Sequence, residues 1–510
     1  MRLPDRALLI AFISGLLLAL SFPRPALASF AWFALIPVFA IMQRRPFACG
    51  FMAGVAFFGM VLYWLNIVMT TYGQMHPFFS AAAYIFLVCY LALFFGVATW
   101  AAVRLQDKLQ LSIALTLPIL WVALEFVRSF LLSGFPWALL GYSQANHPLV
   151  IQSADLVGVY GLTFLIVLVN AVLAEAVRSL RRRPFAPLPR KAIAVAIILV
   201  IANLAYGAFR LSEDLDSRDR SLQVALIQGN IDQGIKWDPA LKQRTVNIYR
   251  DLTLEARARG ELDLVVWPES ATPFYFQDFS FLRSEVTDVP LRTGAFLLFG
   301  SPAYQQKEGG YENLNSAYLL DKHGRQLGRS DKVHLVPFGE YVPFGRLLPF
   351  IDKLVVGIGD FAPGLVHPLP MNGAKAGVLI CFEGIFPELA RDYVRRGSDI
   401  LVNITNDAWF GRSSAPYQHL GMTLFRAVEN RVWVARAANT GISAIISPAG
   451  RIVAQTPLFE EAALTGNLGL GVNRTFYTRF GDFLPIFFLL ISLFWLVRAW
   501  KWPQPETAGH

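Results

Sequence analysis

Apolar runs of bilayer-spanning length constrain this chain more than any motif in it. They fall at 7–22, 28–42, 47–69, 78–103, 111–132, 156–177 and 192–209, with one more at 483–500. A membrane helix needs about 20 consecutive apolar residues, so the pattern predicts a polytopic α-helical membrane domain of about eight transmembrane (TM) helices. Composition agrees, with 55% of the residues hydrophobic and only 16% charged, far from the soluble average. The net charge of +9 comes from Lys and Arg at the ends of apolar runs rather than on one folded face, which argues for no nucleic-acid partner.

Those charges alternate along the chain. Arg44 with Arg45, Arg104 with Lys108, and a group from Arg178 to Lys191 mark one side of the membrane, joined by Arg2, Arg6, Arg498 and Lys501, while the loops 70–77 and 133–153 carry no Lys or Arg. Positive loops stay in the cytoplasm. Both termini are therefore expected there, with the polar stretch on the opposite, periplasmic side. The predicted division is a membrane domain of seven TM helices at 1–209, a polar domain at 210–480, and a final TM helix with a short cytoplasmic tail at 481–510. The N-terminus also resembles a signal peptide, with a cleavage site at Ala26-Leu27-Ala28, but the apolar run that follows at once favours a retained anchor.

Two membrane features exceed what spanning requires. Glu125 and Arg128, three apart on one predicted helix, can share a face, either as a functional charge pair or as a structural one. The loop GFPWALLGYSQANHP, 134–148, carries Trp137 and Tyr142, which suit the headgroup layer or a surface that meets a substrate.

From about residue 221 the pattern changes. Short β-rich runs at 222–228, 262–267, 296–300, 317–320, 376–380, 400–404 and 442–446, with helical patterns at 239–259, 386–396 and 417–431, predict an α/β layered domain. Cys49 and Cys89 fall in apolar runs and Cys381 stands alone in the polar part, so no disulfide framework is available. There is no P-loop, dinucleotide fingerprint or zinc-ligand spacing, and no cofactor or metal is implied.

The stretch GVLICFEGIFPE, 377–388, seats Cys381 where a strand ends and a turn begins, a place where a thiol is both held and reachable. A buried structural Cys is the ordinary alternative. A free thiol is only a few per cent ionised at neutral pH and needs a base or cation nearby. Glu269, in LVVWPES, also follows an apolar strand, although such a Glu is more often a solvated loop residue. Lys332, in SDKVHLVPFGEY, lies in a loop ordered by Pro337 and Gly339, although an exposed Lys is the commoner case. His334, flanked by Val333 and Leu335, reads as a packed, hydrogen-bonded histidine, and Asn406 and Asp407 as turn-shaping residues.

Taken in chain order, WPES with Glu269, KVHLVPFGE with Lys332 and Glu340, and LICFE with Cys381 resemble the carbon–nitrogen hydrolase, or nitrilase-like, superfamily. IQGNIDQGIKWD and LVNITNDAWFG extend that match across the polar domain. The resemblance implies an α-β-β-α sandwich with Glu269, Lys332 and Cys381 as its catalytic set. With the membrane frame, and with HLVPFGEYVPF, GFPWALLGYSQ and ADLVGVYGL, the whole chain is similar to the apolipoprotein N-acyltransferase family. The implied function is transfer of an acyl chain from a membrane phospholipid, via a Cys381 thioester, to the α-amino group of the N-terminal S-diacylglyceryl cysteine of an apolipoprotein, in the bacterial inner membrane. The implied partners are the phospholipid donor, the diacylglyceryl-apolipoprotein acceptor and the bilayer. By the same resemblance Glu269 is the base, and Lys332 with the Phe382 N–H stabilises the oxyanion. Glu340 orients Lys332 or assists Glu269, and Glu383 and Trp237 lie near the pocket. Phe382 stands where some relatives are expected to carry Tyr.

The segment 343–363 is too apolar for an exposed loop and too broken by Pro and Gly for a core helix, and is expected to be a mobile arm covering the pocket. Two rival functions share parts of this pattern: a membrane-tethered amidase or nitrilase hydrolysing a small amide, and a carrier whose polar domain only binds ligand.

Overall fold

The computed structural model describes residues 4–181, 187–234, 236–341 and 361–501. The chain divides into two compact units, one of Met1–Tyr63, Phe78–Arg210 and Phe480–His510, the other of Trp64–Pro77 and Leu211–Arg479.

Among the described residues, four helices are long and apolar enough to cross a membrane: Pro77–Leu109, Ala154–Arg181, Arg190–Ser212 and Phe483–Lys501. A fifth is added if Pro46–Val61 and Leu65–Tyr72 form one broken span. About eight were expected, and the shortfall has a physical cause. The runs at 7–22 and 111–132 become the 16-residue helices Pro4–Ala19 and Ile113–Arg128, each about 24 Å long against a hydrocarbon core of about 30 Å. The run at 28–42 is split between a 3₁₀ turn, Ala28–Trp32, and a short helix, Ile36–Ile41, with Pro37 in its first turn. Hydropathy registers apolar length but not these breaks.

Glu125 and Arg128 are both buried in the first unit. Glu125 Oε1 accepts hydrogen bonds from Leu140 N at 3.0 Å and Trp121 Nε1 at 3.3 Å, and its Oε2 accepts from Thr163 Oγ1 at 2.9 Å. Arg128 Nη1 donates to the carbonyls of Phe135 and Trp137 at 3.1 and 2.9 Å. The pair thus fastens the backbone of the 134–148 loop. Trp137 and Tyr142, expected at the headgroup layer, are buried with it.

The second unit is a sandwich of two six-stranded sheets. One has the order β12-β1-β2-β3-β4-β5 and the other β11-β10-β9-β8-β7-β6. The first six strands are β1 (Ser221–Gln228), β2 (Leu264–Val266), β3 (Phe296–Lys307), β4 (Gly310–Leu320), β5 (Gln326–Asp331) and β6 (Leu369–Met371). The others are β7 (Ala374–Ile380), β8 (Ile400–Thr405), β9 (Val434–Ala438), β10 (Ala444–Ile446), β11 (Ile452–Gln455) and β12 (Ala462–Gly469). β1, β2 and β3 run parallel, as do β7, β8 and β9.

Alternation explains the layering. Val224 and Leu226 of β1 join Leu264, Val378, Ile380 and Val402 in a core between the sheets. Ala225 and Ile227, on the opposite face, pack with Val246, Tyr249 and Val286 of the helices Lys242–Ala258 and Phe281–Thr293. Helices Pro387–Arg395 and Ala415–Asn430 belong with the other sheet, which completes an α-β-β-α sandwich. Both faces of the central strands are buried, so they read as continuous apolar runs rather than as alternating ones. The expected helices at 239–259, 386–396 and 417–431 are present, and Phe281–Thr293 was not anticipated.

The segment Trp64–Pro77 folds with the sandwich rather than with the helices around it in sequence. Trp64 lies 4.9 Å from the ring of Phe410 and donates through Nε1 to Gln418 Oε1, and Tyr72 lies 5.5 Å from Trp409. The expected span at 47–69 is therefore divided between the units. Residues 343–360 of the expected arm lie outside the described residues.

Candidate active site

Four strands deliver the candidate residues from their carboxyl ends, where ligands bind in α/β sheets. Glu269 lies just beyond β2, Lys332 directly follows β5, Cys381 directly follows β7, and Asn406 directly follows β8. The first two belong to one sheet and the last two to the other. Asn406 N donates to Glu269 Oε2 at 3.0 Å, which joins the two strand ends.

Glu269 is held on both oxygens, since its Oε1 accepts from Asn315 Nδ2 at 2.8 Å. The approach of β3 to this carboxylate requires glycine at 300, where a Cβ would stand 2.6 Å from Glu269 Cα and 2.5 Å from Ser270 N. Lys332, 1% exposed, places Nζ 2.9 Å from Glu340 Oε1 and 3.7 Å from Glu269 Oε1. Burial works against its charge, but Glu340 and Glu269 hold the ammonium well above the usual lysine range. Asn315 Nδ2 also donates to Glu340 Oε1 at 2.9 Å, and Val336 N donates to Glu340 Oε2 at 2.8 Å. One lysine and one amide thus bridge two carboxylates.

Cys381 is partly exposed and adopts φ +55°, a left-handed conformation that a non-glycine residue enters only when its surroundings enforce it. Burial, followed by the charge of Glu269, pushes its thiol up to about 12, against the pull of Lys332. The resting group is a thiol, so any attack by this sulfur requires the proton to leave.

Glu383 is fully buried and acts as a staple. Its Oε1 accepts from Val333 N and His334 N at 2.6 and 2.9 Å, and its Oε2 from Ile380 N at 2.7 Å, tying the turn at Cys381 to the loop after Lys332. Burial lifts it to about 7 in spite of these donors. Phe382 packs 5.1 Å from Phe386, and His334 lies 3.8 Å from Phe386 in the packed setting expected of it. Trp237 is half-buried, and among the described residues no hydrogen bond joins it to Glu269, Lys332 or Cys381.

The structure adds residues that sequence reading passed over. Asn315 sits on β4, and Lys236, 1% exposed, donates through Nζ to the carbonyl of Glu269 at 3.1 Å. Behind Cys381, Asp407, His419 and Arg436 form a buried polar group in which His419 Nε2 lies 3.1 Å from the Cys381 carbonyl. Asp407, read as a turn residue, belongs to that group.

Similarity to known proteins covers both units. The family described as apolipoprotein N-acyltransferase N-terminal domain matches residues 14–172, and the carbon–nitrogen hydrolase family matches 223–475. A protein of Geobacter metallireducens named apolipoprotein N-acyltransferase is 50% identical over 94% of this chain and 92% of its own length. Proteins of the same name from Methylococcus capsulatus and Rickettsia typhi are 33% and 32% identical, over 94% and 95% of this chain and 93% and 96% of theirs.

Proposed function

The chain belongs to the apolipoprotein N-acyltransferase family, and from that premise we propose that it acylates lipoproteins by two displacements at Cys381. In the first, Sγ attacks the ester carbonyl of a membrane phospholipid while Glu269 takes the thiol proton. The ester C–O bond breaks, Glu269 returns the proton to the departing oxygen, and a thioester and a lysophospholipid result. In the second, the α-amine of an S-diacylglyceryl cysteine attacks the thioester and gives its proton to Glu269. The C–S bond breaks, an amide forms and the thiol is restored.

Lys332 and the Phe382 N–H bear the oxyanion of each tetrahedral intermediate. Glu340 anchors Lys332 between the two carboxylates, Glu383 braces the turn, and Trp237 lines the acyl pocket. The observation that carries this reading is the raised thiol beside a carboxylate held on both oxygens, a pairing suited to proton transfer during attack and not to a preformed thiolate. Water as acceptor, the amidase reading, leaves the similarity of residues 14–172 without a purpose.

The alternation of Lys and Arg supports a periplasmic catalytic domain with both termini in the cytoplasm. The domain limits 1–209, 210–480 and 481–510 follow from the same reading, and membrane-impermeant labelling of single cysteines at 110 and 310 tests the orientation: labelling at 110 but not at 310 reverses it.

Mass spectrometry of the purified enzyme after incubation with phospholipid tests the chemistry. An acyl adduct is expected on Cys381, absent in Cys381→Ala, and transferred to the amine of an added diacylglyceryl-cysteine peptide. An adduct discharged only as free fatty acid returns the amidase reading.

A further inference from the structure

The left-handed Cys381 is held from behind by groups that the two displacements do not use. Its carbonyl oxygen faces His419 Nε2 at 3.1 Å and Asn403 Nδ2 at 3.4 Å. His419 Nδ1 lies 3.0 Å from Asp407 Oδ1 and 3.1 Å from Arg436 Nη2. Arg436 Nη2 in turn donates to Asp407 Oδ2 at 2.7 Å, Thr405 Oγ1 donates to Asp407 Oδ1 at 3.0 Å, and Arg436 Nη1 donates to Asn403 Oδ1. All of these side chains are buried, and a Cβ at Gly441 would stand 2.5 Å from Asp407 Oδ2.

A carbonyl can only accept, so His419 Nε2 carries the hydrogen. Burial and then Arg436 hold the ring below the usual histidine range, against the pull of Asp407, and Nδ1 is fixed between Asp407 Oδ1 and Arg436 Nη2. Burial works against the charge of Asp407, but Arg436 and His419 hold its carboxyl well below the usual carboxylate range.

A peptide unit is planar and trans, so its N–H points opposite to its carbonyl. Fixing the Cys381 carbonyl therefore fixes the direction of the Phe382 N–H, the donor assigned above to the oxyanion. We propose that His419 is a positioning residue for acyl transfer: through Nε2–H it clamps the Cys381–Phe382 peptide so that its N–H meets the developing oxyanion, with Asp407 and Arg436 fixing the ring. This rests on the two-displacement reading and adds to it a residue that never touches the substrate.

Two polar replacements separate aiming from simple packing. In His419→Gln the amide nitrogen reaches the position of Nε2 and keeps the hydrogen bond to the Cys381 carbonyl. In His419→Asn the shorter amide reaches only the Nδ1 position and keeps the contacts with Asp407 and Arg436. Two rates are measured on full-length enzyme in detergent: thioester formation from phospholipid in a single turnover, and alkylation of Cys381 by iodoacetamide, which develops no oxyanion.

His419→Asn is expected to slow thioester formation by roughly 100- to 1,000-fold, the usual effect of losing one oxyanion donor, with alkylation within about twofold of wild type. His419→Gln is expected to recover at least about tenfold of that loss. Equal loss in both variants, equal loss of alkylation and acylation, or wild-type acylation in His419→Asn overturns the proposal. Cys381→Ala, run in parallel, keeps the two readings apart: acyl-enzyme surviving in that variant defeats the two-displacement scheme itself.

Discussion

Glu125 with Arg128 in the membrane unit and Glu269 with Lys332 in the sandwich are both buried acid–base pairs, and their partners differ in kind. Glu125 takes a backbone N–H, a hydroxyl and an indole, while Arg128 gives to two backbone carbonyls. The N–H and the two carbonyls belong to the loop the pair fastens, the indole and the hydroxyl to helices Ile113–Arg128 and Ala154–Arg181, and none of them can be exchanged for a substrate. Lys332 instead lies against two carboxylates, and Glu269 is shared between an amide, a backbone N–H and that lysine beside a thiol. A charge saturated by local backbone holds a fold, whereas charges balanced against one another beside a nucleophile can change their protonation during a reaction.

The first way to test this contrast is to remove the proposed nucleophile. Cys381→Ala is expected to lower acyl transfer by on the order of 10⁶-fold with thermal unfolding within a few degrees of wild type. Turnover above about 1% of wild type would falsify the assignment of Cys381. Lys332→Met comes next. It strands Glu269 and Glu340 together, so both turnover and stability fall, the latter by about 3–5 kcal/mol, the usual cost of breaking a buried pair. Adding Glu340→Gln relieves the stranded charge and is expected to restore stability without turnover. Recovery of both together shows Lys332 to be structural only.

Arg128→Leu is the counterpart in the membrane unit. The carbonyls of Phe135 and Trp137 lose their donor and Glu125 loses its nearby cation, so stability in detergent is expected to fall by about 3–5 kcal/mol. The folded fraction is expected to turn over within about twofold of wild type, because among the described residues the partners of Arg128 are Phe135, Trp137 and Phe58, none of them in the candidate site. A large loss of turnover at unchanged melting temperature gives the pair a functional role and removes the contrast.

What the sequence made legible follows the same division. Cys381 and Glu269 were legible as residues that follow apolar strands, but Glu269 and Lys332 stood out only together with Cys381, as the ordered set WPES, KVHLVPFGE and LICFE. Asn315 carried no such signal, being one of two asparagines in ENLNSAY on a strand whose inward polar residue looks like any other. His419 and Arg436 were hidden for a different reason. Helix Ala415–Asn430 is buried on nearly all sides although it carries Gln418, His419, Thr423 and Arg426, and β9 buries Arg436 amid alanines, so neither shows the polar-out pattern that marks a face. Of the eight expected spans, four or five reach spanning length among the described residues, because apolar length was legible and the 3₁₀ breaks were not.

Lys236 supplies the smallest of these effects. It is a buried ammonium whose single described hydrogen bond is to the Glu269 carbonyl, and burial pulls it down to about 8 against the charges of Glu269 and Cys381. In the unfolded chain the same group titrates near about 10.4. Between those values the unfolded state binds the extra proton, so this group makes stability rise with pH across the window, and its burial penalty is felt in full below about pH 8. Lys236→Met is therefore expected to unfold at higher temperature than wild type at pH 7 and to lose that advantage towards pH 10. It also removes a cation close to the base and the thiol. Because the Cys381 thiol is raised to about 12, its alkylation is expected to quicken by about tenfold per pH unit through neutral pH without levelling near 8.5, and Lys236→Met to run about two- to threefold slower below about pH 8, where Lys236 is charged, and to approach wild type above it. A plateau near pH 8.5 in wild type would mean that Lys332 outweighs burial and Glu269, and that the attack begins from a thiolate.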